Sequence, residues 1–184
     1  MAVTELNAVT VTGTREQSLR RETPVAIGSI ASDSIQLAAP LHPGQLLGQI
    51  PGVAVAVTNG EGHTPSIRQP FSTSPVYLFL EDGVPIRATG FFNHNALYEV
   101  NLPLAGGVEV VRGPGTALHG SDAIGGVVNI ITRAGAARGA NLFASTGRYG
   151  TTTAAADGGT ALGENAGIGG GIVRSEEHTS ELQS

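Results

Sequence analysis

The sequence predicts an α+β fold class: a mixed domain of short strands and short helices, then weakly alternating strands that cannot be complete by themselves. Three observations predict it. Turn-formers are dense, with 27 Gly and 10 Pro among 184 residues, so apolar runs are short and repeatedly interrupted. The stretch Val76-Tyr77-Leu78-Phe79-Leu80, Glu81-Asp82-Gly83, Val84-Pro85-Ile86 reads as a β-hairpin, because Asp-Gly supplies the positive φ that a tight turn needs. After residue 135 bulky groups give way to Ala, Gly and Thr in alternating patterns.

The elements follow in order. Residues 1–23 are a polar extension whose one patterned stretch is Ala8-Val9-Thr10-Val11-Thr12, extended by preference. Such a strip either adds a strand to a partner's sheet edge or pairs as an edge strand in its own domain. Residues 24–135 form the compact domain. Pro24-Val25-Ala26-Ile27 begins an extended segment, and Ser32 or Asp33 is placed to cap a short helix that runs to Leu37. One or two helical turns follow from Pro43 to Ile50 and stop at Pro51-Gly52. Val53–Val57 is β-branched and alternating, with Asn59-Gly60 as its turn. Val108-Glu109-Val110-Val111 and residues 127–131 are further strands, separated by a long glycine-rich bend over 112–126. Residues 136–173 hold two or three strands of about 10 residues, with alternation clearest over 141–145 and 168–173. Small residues there suit a strand meeting another protein layer, or a transmembrane β-strand.

Composition removes several functions. There is no Cys, hence no disulfide framework, zinc ribbon or thiol catalyst. All ten basic residues are Arg, which removes the phosphate-loop lysine, Schiff bases and a lysine base. A net charge of −5 speaks against nucleic acid as a partner. In the glycine-rich bend, Gly113-x-Gly115 is followed by Leu118 where a dinucleotide site has its third glycine. His42, His63, His94 and His119 lack the i+3 to i+5 spacing of a helical metal pair, and no metal or cofactor is expected. Glu81-Asp82 belongs to a turn, no Gly-x-Ser-x-Gly elbow is present, and no enzyme activity is expected.

Residues 174–184 match, codon for codon, the in-frame translation of a short-read sequencing adapter. They are expected to be foreign, with the natural chain continuing past Val173. The other reading is an acidic, disordered tail.

Four motifs occur in a telling order: Leu46-Leu47-Gly48-Gln49-Ile50-Pro51-Gly52-Val53; Leu80-Glu81-Asp82-Gly83-Val84-Pro85-Ile86; Val108-Glu109-Val110-Val111-Arg112-Gly113-Pro114-Gly115; and His119-Gly120-Ser121-Asp122-Ala123-Ile124-Gly125-Gly126-Val127-Val128-Asn129-Ile130-Ile131-Thr132. Over roughly residues 7–135 the chain resembles the plug domain of TonB-dependent outer-membrane receptors. Residues 138–173 resemble the first strands of the barrel that encloses such a plug. One departure stands out: the family's usual Ile-Arg-Gly is here Ile67-Arg68-Gln69-Pro70. Pro70 has no ladder donor, so a different local path is expected.

The resemblance implies a plug inside a 22-stranded barrel, importing a scarce ligand such as a ferric siderophore, cobalamin or haem, with energy delivered by the inner-membrane TonB complex. Asn7, Ala8, Val9, Thr10 and Val11 resemble the TonB box, the strip that TonB engages. Outward plug loops would contact a small metal-chelate ligand, here through Phe71, Arg87, Phe91, Phe92, Asn93 and His94, or would pack on barrel loops instead. Arg68, Glu109 and Arg112 would face the barrel wall, or form salt bridges within the plug. The outer membrane is the implied location, with a periplasmic N-terminus. Met1-Ala2-Val3-Thr4-Glu5 has no charged n-region or apolar h-region, so the secretory signal is expected to lie outside this chain. A competing reading is a stand-alone periplasmic module that binds by strand addition and would end in a cap or helix after residue 136.

Overall fold

The computed structural model describes residues 9–40, 42–58, 62–133, 139–147, 151–162 and 167–176. In chain order the elements are β1 (Val9–Thr10), β2 (Ser18–Leu19), β3 (Ile27–Ala31), α1 (Ser32–Ala38), α2 (Pro43–Leu47), β4 (Val53–Val57), β5 (His63–Ile67), β6 (Tyr77–Glu81) and β7 (Val84–Pro85). Then come β8 (Ala105–Val111), α3 (Thr116–His119), β9 (Gly126–Thr132), β10 (Gly139–Thr146), β11 (Thr152–Ala161) and β12 (Gly167–Glu176). Short 3₁₀ turns lie at Arg20–Glu22, Ala96–Glu99 and Leu102–Leu104. Two compact units result: Met1–Val100 with Gly107–Ile131, and Asn101–Gly106 with Thr132–Ser184.

The first unit is organised on a five-stranded sheet of order β3-β8-β9-β6-β7. It is mixed, since β3 runs antiparallel to β8 whereas β6 runs parallel to β9. Ile27, Leu80, Val111, Ala123 and Val127 make one core cluster, with Val25 and Leu78 against it. Burying several aliphatic side chains at about 1.5–3 kcal/mol each is what offsets the ordering of so many loops. The expected hairpin is β6–β7, turned by Asp82 at φ 49° and Gly83 at φ 81°. β9 is tight against the end of β8 at Gly126, where an added Cβ would stand 2.6 Å from the Val111 carbonyl oxygen.

Two local expectations need correcting. Ser32 and Asp33 do not cap α1: its N-cap is Ala31, which has no capping side chain, and both residues lie inside the first turn. The second helix, α2, has a better start, with Pro43 in its first turn and His42 Nδ1 accepting from Gly44 N at 2.9 Å. Val53–Val57 is the strand β4, but its turn residues Asn59 and Gly60 lie outside the described residues. Its antiparallel partner β5 was hidden in the sequence by Pro65, which pairs with Val55 in a two-stranded sheet.

The second unit holds three antiparallel strands in the order β10-β11-β12. Ten-residue segments continue where a cap or helix would have ended a stand-alone module. Register places Leu142, Ala156 and Ile172 in one row, and Asn141, Asp157 and Gly171 in the next. Leu142 is 88% and Ile172 72% exposed, while the opposite face covers Asp157 at 5% and Ala155 at 6% exposure and half-buries Phe143 and Val173. β12 takes in Arg174, Ser175 and Glu176; the remaining tail lies outside the described residues. No helix among the described residues is long and apolar enough to cross a membrane.

Candidate functional site

The leading strip meets the first unit at Thr12. Asn7 and Ala8 lie outside the described residues. Val9 and Thr10 form β1, which pairs antiparallel with Leu19 and Ser18 of β2. The chain then bends at Val11, and the consecutive N–H groups of Val11 and Thr12 both donate to the Glu109 carboxylate. The distances are 3.2 Å from Val11 and 2.8 Å from Thr12. Successive amides turned towards one point form a cradle for an anion. Thr12 is gripped at two further atoms: its carbonyl oxygen lies 2.9 Å from His119 Nε2, and its Oγ1 accepts from Asn129 Nδ2 at 3.0 Å. The other end of the Asn129 amide accepts from Gly83 N, so the β6–β7 turn is tied to the same node.

Glu109 is therefore not a wall contact. At 4% exposure its carboxylate is enclosed within the first unit and occupied by two backbone donors. The other two wall candidates stay at the surface. Arg112 Nη1 donates to the Pro51 carbonyl at 2.8 Å, and Arg68 Nη1 donates to the Arg112 carbonyl at 3.3 Å. Burial first, then the neighbouring Arg68 and Arg20 guanidinium groups, lower the pKa of Arg112 from its ordinary value. Neither Arg68 nor Arg112 has a carboxylate partner among the described residues. The Pro70 departure has its local path: β5 ends at Ile67, Arg68 turns into the left-handed region at φ 54°, and Ser66 Oγ bonds the Gln69 carbonyl.

The loops over 71–74 and 87–95 are joined, since Asn93 N donates to the Thr73 carbonyl at 3.0 Å and Asn93 Nδ2 bonds the Ser74 carbonyl. That arrangement buries Asn93 to 1% exposure, so it is a tie rather than a ligand contact. Arg87 is spent as well. Its Nε pairs with Glu99, and its Nη atoms donate to the carbonyls of Phe92, His94 and Asn95 at 2.9, 2.8 and 2.6 Å. It also lies 5.1 Å over the Phe91 ring. Arg87 thus shapes the loop instead of offering a free cation to an anionic chelate. What the loops leave available is aromatic: Phe71, Phe91 and Phe92 are each more than half exposed, and His94 rests against Phe92 with ring centroids 5.7 Å apart. Gly90 N donates to Asp122 Oδ2 at 2.8 Å, which fastens this loop to the glycine-rich bend.

Within the second unit, Arg133 pairs with Asp157 at 2.7 Å and also donates to the Ala105 carbonyl, while Asn141 Nδ2 reaches the other Asp157 oxygen at 3.0 Å. Sequence reasoning missed His119, Asn129, Arg133 and Asp157 as positioning groups. Their partners are 16 to 117 residues away, and no local pattern marks them. Among the described residues no group of three or more His, Asp and Glu side chains converges as a metal site would.

The model of the TonB-dependent receptor plug domain matches residues 20–127. A curated relative, the vitamin B12 transporter BtuB of Vibrio vulnificus, is 34% identical over 129 residues, which cover 68% of this chain and 20% of the relative. The chain thus spans about a fifth of the length of that protein. Among solved structures, the ferripyoverdine receptor of the outer membrane of Pseudomonas aeruginosa shares the fold at a TM-score of 0.71 and 18% identity, covering 93% of this chain and 23% of that one. The ferric-catecholate import receptor Fiu of E. coli K12 gives 0.64 at 17% identity, covering 87% and 22%. These relatives are receptors and transporters, not enzymes. A plug-type mixed sheet with few short helices, followed by antiparallel strands and matched over more than half its length, makes this chain a member of the TonB-dependent receptor plug domain family.

Proposed function

We propose that this chain is the plug and the first barrel strands of an outer-membrane receptor that takes up a scarce ligand of the siderophore or cobalamin type under TonB drive. The observation that carries this reading is the exposed apolar face of β10–β12. Apolar Leu142, Ile168 and Ile172 are exposed on one face, while Thr153, Ala155 and Asp157 are covered on the other. That pattern is wrong for water outside and right for lipid outside. Relatives named for vitamin B12, ferripyoverdine and ferric catecholate support the ligand class.

The parts then take roles. The strip Asn7, Ala8, Val9, Thr10 and Val11 serves as the TonB box, offering backbone donors and acceptors to a partner strand. Phe71, Phe91, Phe92 and His94 present rings to the ligand, and Arg87 holds those rings in place. Arg68 and Arg112, which have no carboxylate partner among the described residues, pair with carboxylates of the barrel wall and hold the plug reversibly. A plug seated this way occludes the lumen until the strip is pulled.

The test is uptake by the complete receptor of three labelled probes: cobalamin, a ferric hydroxamate and a ferric catecholate. One probe is expected to accumulate, and Val9→Pro is expected to abolish its accumulation while leaving its binding intact. Accumulation that survives Val9→Pro, or no accumulation of any probe, contradicts the reading.

A further inference from the structure

The grip on Thr12 has a consequence for the strip before it. In an extended strand, consecutive N–H groups point to opposite sides. Val11 and Thr12 instead aim both N–H groups at one carboxylate, and the chain is bent there for that reason. A partner strand paired through Val11 needs that residue straightened, which pulls at least one of the two amides off Glu109. The bent, docked strip and the extended, partner-bound strip therefore exclude each other at Val11.

We propose that Glu109, His119 and Asn129 form a clip on Thr12 that decides when the strip over 7–11 is released for strand addition. The three side chains come from β8, α3 and β9, and all converge on Val11 and Thr12. The carboxylate is the strongest of the three contacts, because a charged acceptor with two amide donors exceeds a neutral pair. The docked state also carries a flaw: Thr10 Oγ1 is buried and has no hydrogen-bond partner among the described residues. An unsatisfied hydroxyl weakens docking without affecting the extended form, where water or a partner reaches it. Glu109 and His119 are thus positioning residues for the box, and this role rests on the reading of residues 7–11 as the TonB box.

Hydrogen exchange at Val11 and Thr12 in the complete receptor tests the clip, together with the association rate of soluble TonB. In Glu109→Gln, exchange at the two amides is expected to rise about tenfold or more, with the association rate rising alongside. Amides of β6 and β9 are expected to exchange as in the parent. Should Glu109→Gln also loosen β9, His119→Phe is read in its place, since it lies off the sheet; there a rise of about threefold is expected. Unchanged exchange at Val11 and Thr12 in both variants overturns the clip. Association with TonB at one rate, clip intact or cut, also overturns it while leaving the box reading in place. Faster opening with no TonB association in parent or variants sinks the box reading and leaves the clip standing.

Discussion

The plug sheet and the β10–β12 sheet are both β-structure, yet the first buries its central strands on both faces and the second leaves an apolar face exposed. In the plug sheet the bulky residues Val108, Val110, Val127 and Val128 are buried, and side-chain packing supplies the stability. In β10–β12 the bulky residues Leu142 and Ile172 are the exposed ones, while Thr153 and Asp157 are covered. Apart from Phe143, Ile168 and Val173 most other positions are small or polar, so backbone pairing across eight and ten registered positions carries much of that sheet. The difference teaches that an apolar strand pattern does not by itself say what lies outside the strand.

Placing one substitution in each region breaks the comparison most sharply. Val110→Arg puts an unpaired charge into the plug core and is expected to cost about 5 kcal/mol or more, enough to lose the fold. Protease resistance of the plug would report it. Leu142→Arg is expected to leave the plug's own resistance unchanged, yet to cost about 2–4 kcal/mol once that face meets lipid. Membrane insertion of the complete receptor measures the second effect, and equal insertion of parent and variant would remove the lipid-facing assignment.

A smaller effect is expected at the buried pair of the second unit. Asp157→Ala leaves Arg133 covered without its anion and is expected to cost about 3 kcal/mol. Adding Arg133→Met should recover part of that loss, which calorimetry of the complete receptor would show. In the plug, Gly126→Ala drives a methyl into the Val111 carbonyl and is expected to cost about 1–3 kcal/mol, read as a lower midpoint in denaturant.

How much of this was legible depended on how local the cause was. Asp82-Gly83 announced its hairpin because a turn is written in adjacent residues. The order of the four glycine-bearing motifs led to the plug, and the family match bears that out. Glu109 was misread because β8 is buried nearly throughout, so alternation could not say which side its carboxylate faces. The clip was invisible, since Thr12 and its holders are joined only by tertiary folding over about a hundred residues. Arg87 and Asn93 carried the right chemistry for a ligand but were consumed by neighbouring carbonyls that the sequence does not place. Strand β11 hid for a different reason: Ala, Gly and Thr have little intrinsic pull towards β-structure, and pairing on both sides supplies it.

The smallest expected effect is at Glu81, whose carboxyl is raised above its ordinary value by burial and then by Asp82. A raised carboxyl binds its proton more tightly in the folded state, so folding loses stability as pH rises from the unfolded to the folded pKa. Glu81→Gln should flatten that fall and leave a slightly more stable plug at neutral pH. Denaturant midpoints between pH 4 and 7 would show the two curves converging in acid.

Cysteine cross-linking tests most directly whether the leading strip is a strand handed to TonB, because the chain has no cysteine of its own. Single cysteines at positions 8 to 11 in the complete receptor, each combined with one along a TonB strand, should cross-link with a period of two: Val9 and Val11 alike, Ala8 and Thr10 in the opposite phase. Cross-links without that period, or none above the level of a cysteine at exposed Val84, would contradict the claim.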